Sequence, residues 1–115
     1  RLPVMKAVKI ASAADVEAAA RFVDAADRLL FDAQEPKGAD ALPGGNGLAF
    51  DWNLLAGRQW PLPWMLSGGL TADNLAQAIA VTEAACVDVS SGVEQSRGVK
   101  SLEKIARFLA VAKAL

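Results

Sequence analysis

The chain has no histidine and only one cysteine, Cys86, among its 115 residues. A single thiol excludes an internal disulfide, and without imidazole the usual zinc ligand sets cannot be assembled. The absent histidines also remove the side chain that most often serves as general base. Acid–base chemistry within this chain therefore falls to carboxylates, lysines or Cys86. Charge of one sign is lacking too: 12 basic and 13 acidic residues give a formal net charge of −1, with no basic block. That balance argues against an electrostatic nucleic-acid surface. No apolar run approaches the ~20 residues of a membrane span, and no secretory signal pattern opens the chain. A cytoplasmic setting is the expectation.

What is present is a 53% hydrophobic, 22% charged composition. It predicts one globular domain, residues 1–115, large enough to bury a core. The periodicity alternates in type. VMKAVKI, Val4 to Ile10, is rich in β-branched residues and reads as a strand. Ser12 and Asp15 form a capping-box-like start for a helix over Ala13 to Ala25, with Val16, Ala19, Ala20 and Val23 at helical spacing. Arg28 to Ala33 is a second strand. After the long loop from Gln34 to Phe50, Asp51 caps a short helix, Trp52 to Ala56, that Gly57 stops. Pro63 to Ser67 is a third strand. Thr71 opens a helix with Leu75, Ala78, Ile79 and Thr82 on one face, and Cys86 to Ser90 is a fourth strand. Ser101 opens the last helix, its Leu102, Ile105, Ala106, Leu109 and Ala112 expected to face inward.

Every connection in this βαβαβαβα pattern holds a helix and none reads as a hairpin, so the fold class is α/β with parallel strands. The strand runs are apolar without clean alternation, which predicts a sheet covered on both faces. Two architectures fit: an open, flavodoxin-like doubly wound sheet, or part of a (β/α)8 TIM barrel. A complete barrel runs to about 250 residues, so four units amount to half of one. The first strand starts almost at residue 1, which points to further sequence upstream.

In such folds, reactive groups gather at the carboxyl ends of the strands. Asp32 ends LLF, where apolar neighbours strip water from a carboxylate and favour its protonated form. It reads either as a proton donor or as a residue that merely turns the chain. The loop after it holds Gly38, Gly44, Gly45 and Gly47, freedom enough for a flap. Gly68 and Gly69, between the third strand and its helix, read as an anion cradle or as a tight turn. Asp88, Ser90, Ser91 and Gly92 end the fourth strand, and the segment to Gly98 leaves room for an extra helical turn. The last two loops of a barrel often bind phosphate together. Asp88 needs a partner, and Lys6 is the candidate inside a barrel. Cys86 reads as a small buried hydrophobe. Trp52, Trp60 and Trp64 read as a core-and-loop cluster, with Trp52 placed beside the flap.

Four segments in one order, LLFDA, PGGNGLAFDW, MLSGGLTADNLAQAI and VDVSSGVEQSRGVKS, resemble the phosphoribosylanthranilate isomerase family of tryptophan biosynthesis. VMKAVKI is similar to that family's fifth barrel strand, so the resemblance covers the whole chain as strands 5–8 with their helices. It implies a C-terminal half-barrel, (βα)4, with the N-terminal half absent. It also implies an Amadori rearrangement of N-(5-phosphoribosyl)anthranilate to 1-(o-carboxyphenylamino)-1-deoxyribulose 5-phosphate, with no cofactor and no metal. Asp32 falls at the family's general acid; Gly68, Gly69, Ser91 and Gly92 fall where it holds phosphate; Asp88 falls near the substrate. The family's general base is a first-strand cysteine, and neither it nor an arginine of the early loops has a counterpart here. The isolated chain is therefore expected to be inactive, with two open sheet edges that favour self-association. The alternative is a non-catalytic, phosphate-binding half-barrel that self-associates.

Overall fold

The computed structural model describes residues 1–33 and 51–115; the expected flap and Phe50 lie outside the described residues. Three parallel strands, β1 (Met5–Ile10), β2 (Arg28–Ala33) and β3 (Trp64–Ser67), form a sheet in chain order. The register sets Lys9 opposite Asp32 and Asp32 opposite Ser67. Beyond β3 the expected fourth strand shrinks to one rung. Val87 bridges Leu66, with the Leu66 N–H donating to the Cys86 carbonyl at 3.0 Å and the Asp88 N–H to the Leu66 carbonyl at 2.8 Å. The chain leaves the sheet by Ser90, where φ −132° and ψ −83° turn it into a 3-10 turn, Ser91–Val93.

The alternation the sequence hides is plain in the burial. Leu29, Phe31 and Ala33 of β2 are buried, whereas Arg28 is exposed and Leu30 and Asp32 are half-buried. Val8 and Ile10 of β1 are buried while Ala7, Lys9 and Met5 (44% exposed) are not. Only one face is sealed, by the helices, so the expectation of two covered faces fails for the described residues. Along a strand, successive side chains point to opposite faces. The polar row Lys9, Asp32, Ser67 therefore belongs to the unsealed face. The sealed face is aromatic-rich: Trp60 and Trp64 flank Phe31 with ring centroids 4.7 and 5.3 Å away.

Helix α1 (Ala13–Ala19) buries Val16 and Ala19, then tightens into a 3-10 turn over Ala20–Phe22, short of the expected end at Ala25. Asp15 anchors its start, accepting from the Ala11 and Ser12 N–H groups at 2.8 and 3.1 Å. After the undescribed stretch, Asp51 accepts from the Asn53 N–H at 3.0 Å and caps a 3-10 turn, Trp52–Leu55; Trp52 is buried in the core. Helix α2 (Leu75–Thr82) is opened by a reciprocal pair: the Thr71 N–H donates to Asn74 Oδ1 at 2.8 Å, and the Asn74 N–H to Thr71 Oγ1 at 3.3 Å. Helix α3 (Leu102–Ala114) starts where Ser101 Oγ accepts from the Lys104 N–H at 3.2 Å.

Three other expectations are corrected. A small hairpin does exist, β4 (Glu94–Ser96) with β5 (Val99–Lys100), turned by Arg97 and Gly98, the latter at φ +79°. Glycine two residues after a polar strand end is the signal that marks it. Lys6 sits on the helix side of β1 with Nζ 4.7 Å above the Phe22 ring, so it cannot meet Asp88 on the other face. Cys86 is exposed rather than buried, because it opens the edge segment on the unsealed side.

In α3 the inward seam is Ile105, Phe108, Val111 and Ala112, leaving Leu102 83% and Leu109 50% exposed. Two apolar stripes compete on this helix, and the one centred on Phe108 wins because it meets the sheet-side core. Phe108→Ala should cost about 3–5 kcal/mol in urea denaturation. Leu109→Lys should stay within about 0.5 kcal/mol, the surface range.

Candidate active site

The carboxyl ends of β2 and β3 and of the Cys86–Asp88 rung lie at one rim. They enclose an open cavity of about 270 Å³ lined by Asp32, Ser67, Gly68, Gly69, Leu70 and the run from Asp88 to Gly92. Asp32, Gly68, Gly69, Asp88, Ser91 and Gly92, the residues the resemblance places at the acid, the phosphate and the substrate, thus line one cavity.

Backbone geometry explains why glycine stands at three of those positions. A β-carbon on Gly68 would fall 2.3 Å from the Ala33 carbonyl oxygen and 2.8 Å from Asp32 Oδ1. Gly68 also has φ +95° and Gly69 φ +68°, conformations that side chains resist. The carboxylate of Asp32 therefore lies against the bare backbone of the third strand's exit turn. On the opposite side, a β-carbon on Gly92 would fall 1.8 Å from the Leu70 carbonyl oxygen. The Ser90–Gly92 turn packs directly on the loop that follows Gly69, so the two turns form one unit.

Asp88 finds its partner within this wall: Ser67 Oγ donates to Asp88 Oδ2 at 3.0 Å. Lys9, Asp32, Ser67 and Asp88 thus run as a polar row across the sheet, one residue per strand. Sequence reading missed Lys9 and Ser67 as members. The signal was available only through register, since each is an ordinary residue on its own strand.

The hairpin behind the rim is tied to it by Lys100 and to α3 by Lys104. Lys100 Nζ donates to the Ser90 carbonyl at 3.0 Å, to Ser90 Oγ at 3.3 Å and to Glu94 Oε2 at 2.8 Å. Lys104 Nζ donates to the Glu94 carbonyl at 2.8 Å. The Lys100 hydrogen bond holds the Glu94 carboxyl below its ordinary range, against an opposing push from partial burial. Cys86 lies elsewhere, beside Met5, Leu29 and Met65 around a separate small cleft at the amino end of the strands. Among the described residues no group of three or more histidine, cysteine or acidic side chains could hold a metal ion, and no helix is long and apolar enough to cross a membrane.

Parallel β/α units in sequential strand order, covered by helices on one face and with their polar groups gathered at the strand carboxyl ends, make this a TIM-barrel-like α/β protein. The family model described as N-(5'phosphoribosyl)anthranilate (PRA) isomerase matches residues 1–111, and the chain belongs to that family. Among curated relatives, N-(5'-phosphoribosyl)anthranilate isomerase of Rhodospirillum centenum is 63% identical over 99% of this chain and 53% of its own length. The solved phosphoribosyl anthranilate isomerase of Thermotoga maritima superposes with a TM-score of 0.81 at 36% identity, over 100% of this chain and 53% of that one. A further isomerase structure, solved with reduced 1-(o-carboxyphenylamino)-1-deoxyribulose 5-phosphate, matches at TM-score 0.74 and 32% identity, over 100% of this chain and 50% of its own. The chain spans about half the length of the curated relatives it matches.

Two outcomes check this geometry. Gly92→Ala should destabilise the fold by roughly 1–3 kcal/mol or more, since backbone rather than a flexible side chain stands in the way; urea denaturation reads it. For Glu94, the folded carboxyl lies below its unfolded value. Its contribution is therefore complete above the unfolded carboxylate pKa and is lost as pH falls through the folded one. An NMR pH titration should show Lys100 and Glu94 resonances shifting together, at more acid pH than an unpaired glutamate.

Proposed function

We propose that this chain is the C-terminal half-barrel of a phosphoribosylanthranilate isomerase, corresponding to strands 5–8, residues 1–115 forming a single unit. It works in the cytoplasm on a phosphosugar, without metal or organic cofactor. Its reaction is the Amadori rearrangement of N-(5-phosphoribosyl)anthranilate. Asp32 is the general acid: it protonates the furanose ring oxygen and opens the ring to a Schiff base. A general base then removes the proton from C2, and the resulting enolamine tautomerises to the ketone. The amides of Gly68, Gly69, Ser91 and Gly92 hold the substrate phosphate, and Asp88 lies beside the substrate.

The observation that carries this reading is the shared cavity, lined by Asp32 and by both glycine-bearing turns. Match to about half of each relative's length supports the assignment to half a barrel. The general base is a cysteine of the complementary half; Cys86 cannot replace it, because it sits at the other end of the strands from Asp32. Alone, the chain is inactive, and its exposed Met5, Ala7 and Lys9 face and its β1 edge invite association with the other half or with a second copy.

Combining the chain with the N-terminal half of a relative should restore turnover, and Asp32→Asn in that assembly should lower kcat by on the order of 10²–10⁴. Affinity for a product analogue should change little. Turnover that survives the substitution would assign the proton to another acid.

A further inference from the structure

Resting on the phosphate site just proposed, we infer that Lys100 is a positioning residue whose ammonium fixes the Ser90–Gly92 turn in its anion-accepting shape without touching the anion. Three acceptors surround Nζ: the Ser90 carbonyl, the Ser90 hydroxyl and Glu94 Oε2, at 3.0, 3.3 and 2.8 Å. An ammonium has three hydrogens, so they account for its full donor capacity. Ser90 lines the cavity and Lys100 does not. The lysine therefore acts from behind, through Ser90.

The arrangement brackets the turn. Ser90 begins it, Glu94 ends it, and Lys100, ten residues on from Ser90, ties both together. The Ser101 N–H, donating to the Val93 carbonyl at 2.8 Å, closes the same bracket from the backbone. As a salt bridge the Lys100–Glu94 pair contributes little, because the lysine side chain is 46% exposed. What the pair supplies is shape. Bonding the Ser90 carbonyl and hydroxyl pins the start of the turn whose Ser91 and Gly92 line the cavity, and the Val93 N–H donates to the same carbonyl at 3.3 Å.

Inorganic phosphate titrated into the 115-residue chain tests this, with the Ser91 and Gly92 amide shifts as readout and slow exchange of the Ser101 amide as fold control. Lys100→Met should weaken phosphate binding on the order of tenfold, the loss expected for hydrogen bonds from a charged donor. Lys100→Arg, which keeps the charge but cannot place one nitrogen among three acceptors, should also weaken it. Glu94→Gln, which keeps an acceptor oxygen, should bind within about twofold of the parent, since the three-point grip survives. If Lys100→Arg restores full affinity, or Glu94→Gln tightens binding tenfold, the lysine acts through charge and the inference fails. Parent-like affinity in Lys100→Met overturns it too, while leaving the phosphate site standing. A parent chain whose Ser91 and Gly92 amides ignore phosphate overturns both. Should Lys100→Met not fold, Lys100→Arg and Glu94→Gln decide the matter by themselves.

Discussion

The parallel pairing of β2 with a neighbour on each side is the constraint from which the remainder follows. It fixes which residues of RLLFDA face the helices, and with period two there is no freedom afterwards. Leu29, Phe31 and Ala33 go to the sealed side and are the centre of the core. Asp32, one position from each of two buried residues, must go to the other side. A slip by one residue would bury the carboxylate among Trp60, Trp64 and Leu55 and expose Phe31. The hydrophobic side of the sheet thus aims the acid at the cavity. Stability and placement of the site have the same cause.

The second constraint is steric. Gly68 lets the chain leave β3 so closely that its backbone rests on Asp32, and Gly92 lets the next turn rest on Leu70. Because both contacts are backbone against backbone or carboxylate, they leave no slack. The two turns take their spacing from van der Waals contact rather than from mobile side chains. The hairpin then holds the outer turn from behind through Lys100, and Lys104 of α3 holds the hairpin at Glu94.

Much of this could be read in the sequence, and what could not has identifiable causes. The β/α alternation and the strand ends were legible because helical spacing and glycine punctuation are local signals. The convergence of Asp32, Gly68, Gly69, Asp88, Ser91 and Gly92 followed from a rule about parallel sheets, not from any one motif. Local signals failed where a choice is settled by partners far along the chain. Leu102 and Leu109 form as good a helical stripe as Ile105 and Phe108, and only the position of the core, reached over α2 and the Ser91–Val93 turn, chooses between them. Lys6 and Lys9 both lie in VMKAVKI; register sends one to Phe22 and the other beside Asp32. The fourth strand read as five residues, but pairing needs a straight partner, and the turn at Ser90 ends it early.

The distribution of burial carries a last consequence for the chemistry. The polar row from Lys9 to Asp88 stands on the face that the described residues leave unsealed, next to the exposed Ala7 and Cys86. A carboxylate acting as an acid near neutrality gains from exclusion of water, because a low dielectric favours its protonated form. On this face the sheet supplies position but only half of an enclosure. The described residues therefore fix where Asp32 stands, at the rim of the cavity it shares with Ser67 and Asp88, and leave that face of the sheet open.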